Sequence, residues 1–110
     1  MAYDETLAER IRAVLRAERD DVREQKMFGG VAFMAGGHMC VGVIGEDLMA
    51  RLGEDAADAA LDEPHTRPMD FTGRPMRNMV YVEPAGTATD AALRDWIHRA
   101  LAFVGTLPPR

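Results

Sequence analysis

The sequence predicts a single α+β domain of two layers, in which helices pack on an antiparallel sheet. Amphipathic segments with helical spacing lie near both ends of the chain, and apolar runs separated by glycine turns lie between them. A short alanine-rich segment interrupts those runs. Strands that come in runs, with helices between the runs, favour the α+β class. The predicted order is α-β3-α-β2-α, within one domain covering residues 1–110.

The two terminal helices follow from apolar residues that recur every three or four positions. The first helix begins near Asp4 or Thr6, which are alternative N-caps, and it ends at residues 20–21. The last helix begins after Thr89 and ends at Gly105. The apolar stripes consist of Leu7, Ile11, Val14 and Leu15 in the first helix, and of Leu93, Trp96, Ile97, Ala100, Leu101 and Val104 in the last.

Glycine turns divide the first apolar region into strands. A Gly-Gly turn separates the runs 31–34 and 38–44, which predicts a β-hairpin. A second glycine turn leads into residues 48–52, so that three strands form an antiparallel meander. Residues 22–26 are polar and leave two alternatives open, a connector or an early strand.

The middle of the chain is predicted to hold a helix followed by two strands. Residues 53–61 form a short helix, because acidic residues lie in its first turn and Pro64 follows it. Residues 69–71 form a short strand, and residues 78–83 alternate in the manner of a second one.

Composition limits the classes of function. The 110 residues carry a net charge of −5 at pH 7, and only 6% are aromatic, which argues against direct binding of nucleic acid. We expect no membrane partner and a cytoplasmic protein, since there is no apolar run of membrane-spanning length and no secretory signal. Cys40 is the only cysteine, which excludes an internal disulfide. No cofactor or metal is expected.

Residues 64–78 form the most distinctive stretch of the sequence. Its prolines disfavour a helix, and Gly73 marks a turn. One interpretation is a rigid loop, braced by Pro68, Gly73 and Pro75, in which Asp70 forms an ion pair with a neighbouring arginine.

The second interpretation of this stretch is a binding site. His65, Arg67, Arg74 and Arg77 give it a basic character that the rest of the acidic chain lacks, and Arg51 ends a predicted strand. Guanidinium groups recognise carboxylates and phosphates through bidentate hydrogen bonds. These five residues are therefore the candidate binding residues.

Five motifs along the chain occur together in one known family. They are Met27-Phe28-Gly29-Gly30, Arg51-Leu52-Gly53, the run from Pro64 to Met76, Met79-Val80-Tyr81-Val82 and Leu107-Pro108-Pro109. The chain resembles the TfoX N-terminal domain family over nearly its whole length, which implies an α-β3-α-β2-α fold. The regulators after which the family is named control competence for DNA uptake in bacteria, as coactivators of a cyclic-AMP-responsive transcription factor. They carry a second, C-terminal domain, and we expect this chain to be a single-domain member without it.

No catalytic constellation is visible in the sequence, and the resemblance implies none. Serine is absent, and Cys40 lies in the middle of a predicted strand, where a buried, inert thiol is the ordinary outcome. His38, His65 and His98 lie on separate elements without a metal-binding spacing. The chain is therefore expected not to be an enzyme.

Two hypotheses of function follow. The first is a non-catalytic module that docks a protein partner, such as a transcription factor, through the arginine-rich loop and a sheet edge or methionine-rich patch. The second is a binder of, or enzyme acting on, a small anionic metabolite held by the candidate binding residues. The second requires those residues to converge on a pocket of at least a few hundred Å³, as about 300–1,000 Å³ is usual for ligand sites. Unpaired sheet edges would also allow a homodimer.

Overall fold

The computed structural model describes residues 3–27, 29–69 and 76–108, and for Met76 the backbone alone. These residues form three α-helices, six strands and one short 3-10 turn. In chain order they are α1 (Glu5–Glu18), β1 (Arg23–Met27), β2 (Gly30–Ala35), β3 (His38–Ile44), β4 (Asp47–Arg51), α2 (Glu54–Ala60), β5 (Thr66–Met69), β6 (Met76–Val82), the 3-10 turn Pro84–Thr87, and α3 (Asp90–Val104).

All six strands form one antiparallel sheet in the order β1-β2-β3-β4-β6-β5. The predicted α+β class and antiparallel sheet are confirmed. The predicted order differs by one strand, because four strands precede α2 and not three. The additional strand is β1, which occupies the polar segment that the sequence left ambiguous. An edge strand exposed on its outer side needs no apolar alternation, which explains why its pattern gave no clear signal.

The last two strands are arranged out of chain order. β6 lies between β4 and β5, and it pairs with both. The amides of Leu52 and Gly53 both donate to the carbonyl of Asn78, at 2.8 and 3.1 Å, and so extend the contact between β4 and β6 beyond the strand end. β5 is the last strand of the sheet, so the first part of the proline-rich stretch forms an edge strand, which includes Pro68.

The main core lies between the helices and one face of the sheet. Leu7, Ile11 and Leu15 of α1 pack in one cluster with Phe33 of β2 and with the apolar stripe of α3. Phe33 is fully buried, and burial of such a side chain is worth about 1.5–3 kcal/mol. No helix of the described residues is long and apolar enough to cross a membrane.

The structure shows which residues cap the helices, and it decides between Asp4 and Thr6 as the N-cap of α1. The carboxylate of Asp4 accepts hydrogen bonds from the amides of Thr6 and Leu7, at 2.9 and 3.2 Å, so Asp4 is the N-cap of α1. Thr89 caps α3 as predicted, since its hydroxyl accepts from the amide of Ala92 at 3.1 Å. Gly53 is the N-cap of α2, and its φ of 87° is a backbone conformation that other residues rarely adopt.

A second apolar cluster lies on the opposite face of the sheet. Side chains alternate between faces along a strand, so Met49, Met79 and Tyr81 point away from Leu48 and Val80, which belong to the main core. Within the described part of the chain, no helical side chain belongs to this cluster. We call it the methionine face: Met49, Met69, Met79 and Tyr81, which are buried, with the partly buried Met39 and Ile44 packed against them.

Candidate interaction surface

Arg67 is the candidate binding residue that the structure positions most firmly. It lies on β5 directly opposite Tyr81 of β6, and its guanidinium carbon lies 4.4 Å from the centre of the Tyr81 ring. A guanidinium at this distance from an aromatic face is attracted by the ring quadrupole. The same group forms an ion pair with Asp47 at the start of β4, and its Nε lies 3.5 Å from a carboxylate oxygen of Glu83.

The acids that hold Arg67 are distant from it in the sequence. Asp47 lies just before the predicted strand 48–52, and Glu83 ends the predicted strand 78–83. Both come close to Arg67 because β6 lies between β4 and β5, and no local pattern in the sequence signals that pairing. The predicted partner, Asp70, lies outside the described residues, so its proposed ion pair stays a prediction.

The methionine face lies directly beside Arg67. Met49 pairs across the strands with Tyr81, so the ring under the guanidinium is also part of the apolar cluster. Gly42 of β3 provides the space for Met49, since a Cβ built on Gly42 would lie 2.5 Å from the Met49 methyl group. A charged, stacked arginine therefore borders a patch of flexible, polarisable side chains.

Arg77 lies in a different environment. It borders a cleft of about 410 Å³ between α2 and the β5–β6 pair, whose other lining residues include Pro68 and Met79. Three acids of α2, Glu54, Asp55 and Asp58, also line this cleft. The cleft is therefore acidic for the most part, and it does not have the basic lining that an anion site requires.

Arg51 and His65 make contacts of their own, although Arg51 lies directly opposite Met79 of the methionine face. Arg51 donates to the carbonyl of Met39 at 3.4 Å, and its guanidinium carbon lies 5.6 Å from the ring centre of Phe103 on α3. His65 precedes β5 with a φ of 68°, and its carbonyl accepts from the amide of Glu83 at 2.8 Å. Such a φ is uncommon for a residue other than glycine, and histidine is among the residues that adopt it more often.

The candidate binding residues are thus distributed over several surfaces. Among the described ones, Arg67 borders the methionine face, Arg77 the acidic cleft, and Arg51 the end of β4 beside α3. Arg74 lies outside the described residues, as do the predicted loop-bracing residues Gly73 and Pro75. Pro68, the remaining bracing residue, belongs to β5 and lines the acidic cleft.

The groups with potential reactivity are engaged or inaccessible. Cys40 is fully buried, and burial raises the pKa of its thiol to about 12, so it carries no thiolate at neutral pH. Nε2 of His98 lies 2.9 Å from the carboxylate of Glu18, and Nε2 of His38 lies 2.6 Å from the carbonyl of Pro108. Among the described residues, no group of three or more His, Cys, Asp or Glu side chains converges as metal ligands would.

Comparison with known proteins agrees with the fold and with the motifs. The family model of the TfoX N-terminal domain matches residues 14–104, which include all six strands of the sheet. Comparisons with curated proteins and with solved structures found no match. The match covers well over half of the chain, and we conclude that this protein belongs to the TfoX N-terminal domain family.

Proposed function

We propose that this protein is a non-catalytic interaction module, which docks a protein partner in transcriptional control of the competence type. The observation that carries the proposal is Arg67, stacked on Tyr81 at the border of the methionine face. Arginine and tyrosine are enriched among the residues that dominate protein–protein binding energy. The methionines beside it are buried, so Arg67 is the accessible part of this surface and the methionine face supports it from below.

The contacts of Arg67 favour a docking role because they fix its orientation and leave part of it accessible. The side chain is 42% exposed, although Asp47, Glu83 and Tyr81 all contact it. A side chain that is already ordered loses less conformational entropy when a partner binds. Asp47 and Glu83 balance its charge, so the surface favours a partner that offers apolar side chains and planar groups over a small free anion.

The buried thiol supports the non-catalytic part of the proposal. Cys40 is the only cysteine, and its raised pKa makes it a poor nucleophile at neutral pH. The chain also contains no serine. A docking role uses the shape and charge of the surface and requires neither group.

The experiment measures binding to the cyclic-AMP-responsive transcription factor of the same host, with and without cyclic AMP. The purified protein is immobilised and its affinity for the factor is determined by biolayer interferometry. We expect the Arg67→Ala variant to bind at least about tenfold more weakly, as truncation of a central arginine costs about 2 kcal/mol or more. Arg94→Ala, which removes an exposed arginine from α3, is the matched control and should bind as the original protein does.

Circular dichroism at the assay temperature establishes that each variant is folded. Equal affinities of the Arg67→Ala and Arg94→Ala variants would show that the proposed surface is not the one used. Binding to no form of the factor would remove the proposed partner.

A further inference from the structure

The two edges of the sheet differ in their capacity to pair with another strand. At the β5 edge, the amide of Glu83 donates to the carbonyl of His65, so these two residues form a hydrogen-bonded pair. Such pairs alternate along an antiparallel ladder, so the N–H and C=O groups of residues 66 and 68 point away from β6. Residue 68 is a proline and has no N–H to donate. The β5 edge is therefore blocked in the way that natural sheets protect their edges. β1, at the opposite edge, contains no proline, and its side chains are exposed from Arg23 to Lys26.

The outward backbone groups of β1 belong to Glu24 and Lys26. Met27 pairs with Gly30 across a connection of two residues, and in such a hairpin this pair exchanges the closing hydrogen bonds. Hydrogen-bonded pairs alternate along an antiparallel ladder, so Gln25 and Arg23 also bond inward to β2. The N–H and C=O groups of Glu24 and Lys26, which alternate with these residues, therefore face the open edge.

This alternation limits how β1 could pair with β1 of a second copy. In an antiparallel pair with two-fold symmetry, residues whose backbone groups face the open edge must lie opposite each other. The two-fold axis, which is the centre of the pair, therefore passes at Glu24, Gln25 or Lys26. A centre at Glu24 places two carboxylates opposite each other, and a centre at Lys26 does the same with two ammonium groups. A centre at Gln25 places each Glu24 opposite Lys26 of the other copy, which is the complementary arrangement.

The surroundings of the two charges fit the arrangement centred on Gln25. Lys26 is exposed and forms no ion pair with any described residue. Glu24 accepts two hydrogen bonds from Arg12 of α1, at 2.5 and 2.6 Å, and these bonds lower the pKa of its carboxyl, which stays ionised. A carboxylate has about four acceptor positions, so it can accept from a further donor.

We infer that this protein forms a homodimer in which β1 pairs antiparallel with β1 of a second copy, centred on Gln25, so that the sheet continues from one copy into the other. The hydrogen bonds run between Glu24 of each copy and Lys26 of the other. The inference is independent of the proposed function, because β1 and the methionine face lie on different parts of the sheet.

The test uses charge exchange between two variants. Sedimentation velocity over a range of concentrations gives the dissociation constant of the original dimer. Lys26→Glu and Glu24→Lys each place like charges opposite each other twice in the dimer, so each should dissociate about tenfold more readily. A mixture of the two variants restores complementary pairs at both positions and should form a heterodimer more stable than either homodimer.

A second measurement reports on the backbone. Hydrogen exchange at the amides of Glu24 and Lys26 should slow as the protein concentration rises, whereas the amide of Gln25, bonded within the chain, should not change. Arg94→Glu makes the same charge change on α3, away from β1, and should leave the dissociation constant unchanged. A monomer at every concentration, or a dimer that Lys26→Glu leaves as stable as before, would overturn the inference.

Discussion

The guanidinium of Arg67 is stacked on the ring of Tyr81, on the strand that separates β5 from β4. Asp47 reaches the same guanidinium from β4, and Glu83 reaches it from the end of β6. The Arg67 side chain therefore connects three strands that are neighbours in the sheet, β4, β6 and β5, on the face opposite the main core. This arrangement makes Arg67 a residue of structural importance as well as the centre of the proposed docking surface.

We predict that Arg67→Ala lowers the free energy of unfolding by about 1–2 kcal/mol. The change removes the stacking on Tyr81 and leaves Asp47, whose side chain is only 18% exposed, without its cationic partner. Urea unfolding followed by circular dichroism measures the loss. Arg77→Ala is the matched control, because Arg77 is exposed, and it should change the stability by less than about 0.5 kcal/mol. Equal losses in the two variants would contradict the importance of the contacts with Asp47 and Tyr81.

Gly53→Ala is expected to destabilise the protein by about 1–3 kcal/mol. Gly53 has a φ of 87°, and a Cβ placed on it would lie 2.7 Å from a ring carbon of Phe103. Two costs are therefore combined, backbone strain and a steric overlap. Adding Phe103→Leu should recover only part of the loss, since the smaller side chain relieves the overlap and leaves φ unchanged. Thermal melts of the single and double variants measure both effects, and complete recovery would show that φ contributes nothing.

The thiol of Cys40 should react with an aromatic disulfide reagent only when the protein unfolds. Burial raises its pKa to about 12, so the reactive thiolate is scarce at pH 7–8, and the side chain has no exposed surface. We expect the rate of modification to rise with urea concentration in parallel with the unfolded fraction. A burst of modification in the native protein, at the rate of a free cysteine, is the result that would contradict this.

Asp21 should contribute to acid sensitivity. Its carboxylate accepts from the guanidinium of Arg19 and from the amide of Gly36 in the turn between β2 and β3, and the bonds from Arg19 chiefly lower its pKa to about 2. Its pKa is lower in the folded protein, so the stabilisation is complete above about pH 4 and is lost as the pH falls toward 2. The side chain is 47% exposed, which limits the effect to less than about 1 kcal/mol.

The Asp21→Asn variant tests this assignment. Its free energy of unfolding should fall less steeply than that of the original protein between about pH 4 and pH 2, as measured by urea titrations at several pH values. Asp55→Asn, at an exposed position of α2, serves as the control. A parallel pH dependence in the original protein and the Asp21→Asn variant would rule out a contribution from this pair.

The sequence predicted the elements whose signals are local. The stripe of α3, its cap at Thr89 and the hairpin of β2 and β3 all depend on residues within a few positions of one another, and the structure agrees with each. β1 was ambiguous because an exposed edge strand carries no apolar pattern. The surroundings of Arg67 could not be predicted, because Asp47 lies 20 positions away in the sequence and meets it only through the order of strands.

The position of β6 between β4 and β5 affects the order in which the sheet can be completed during synthesis. The strands from β1 to β4 pair with their neighbours in sequence, so this part can assemble as soon as it has been made. Until Met76–Val82 emerges, the far side of β4 remains an open edge carrying Leu48, Met49 and Ala50, all buried in the finished protein. A nascent chain that stalls before Met76 would therefore expose an apolar strand to other chains, and such strands promote aggregation.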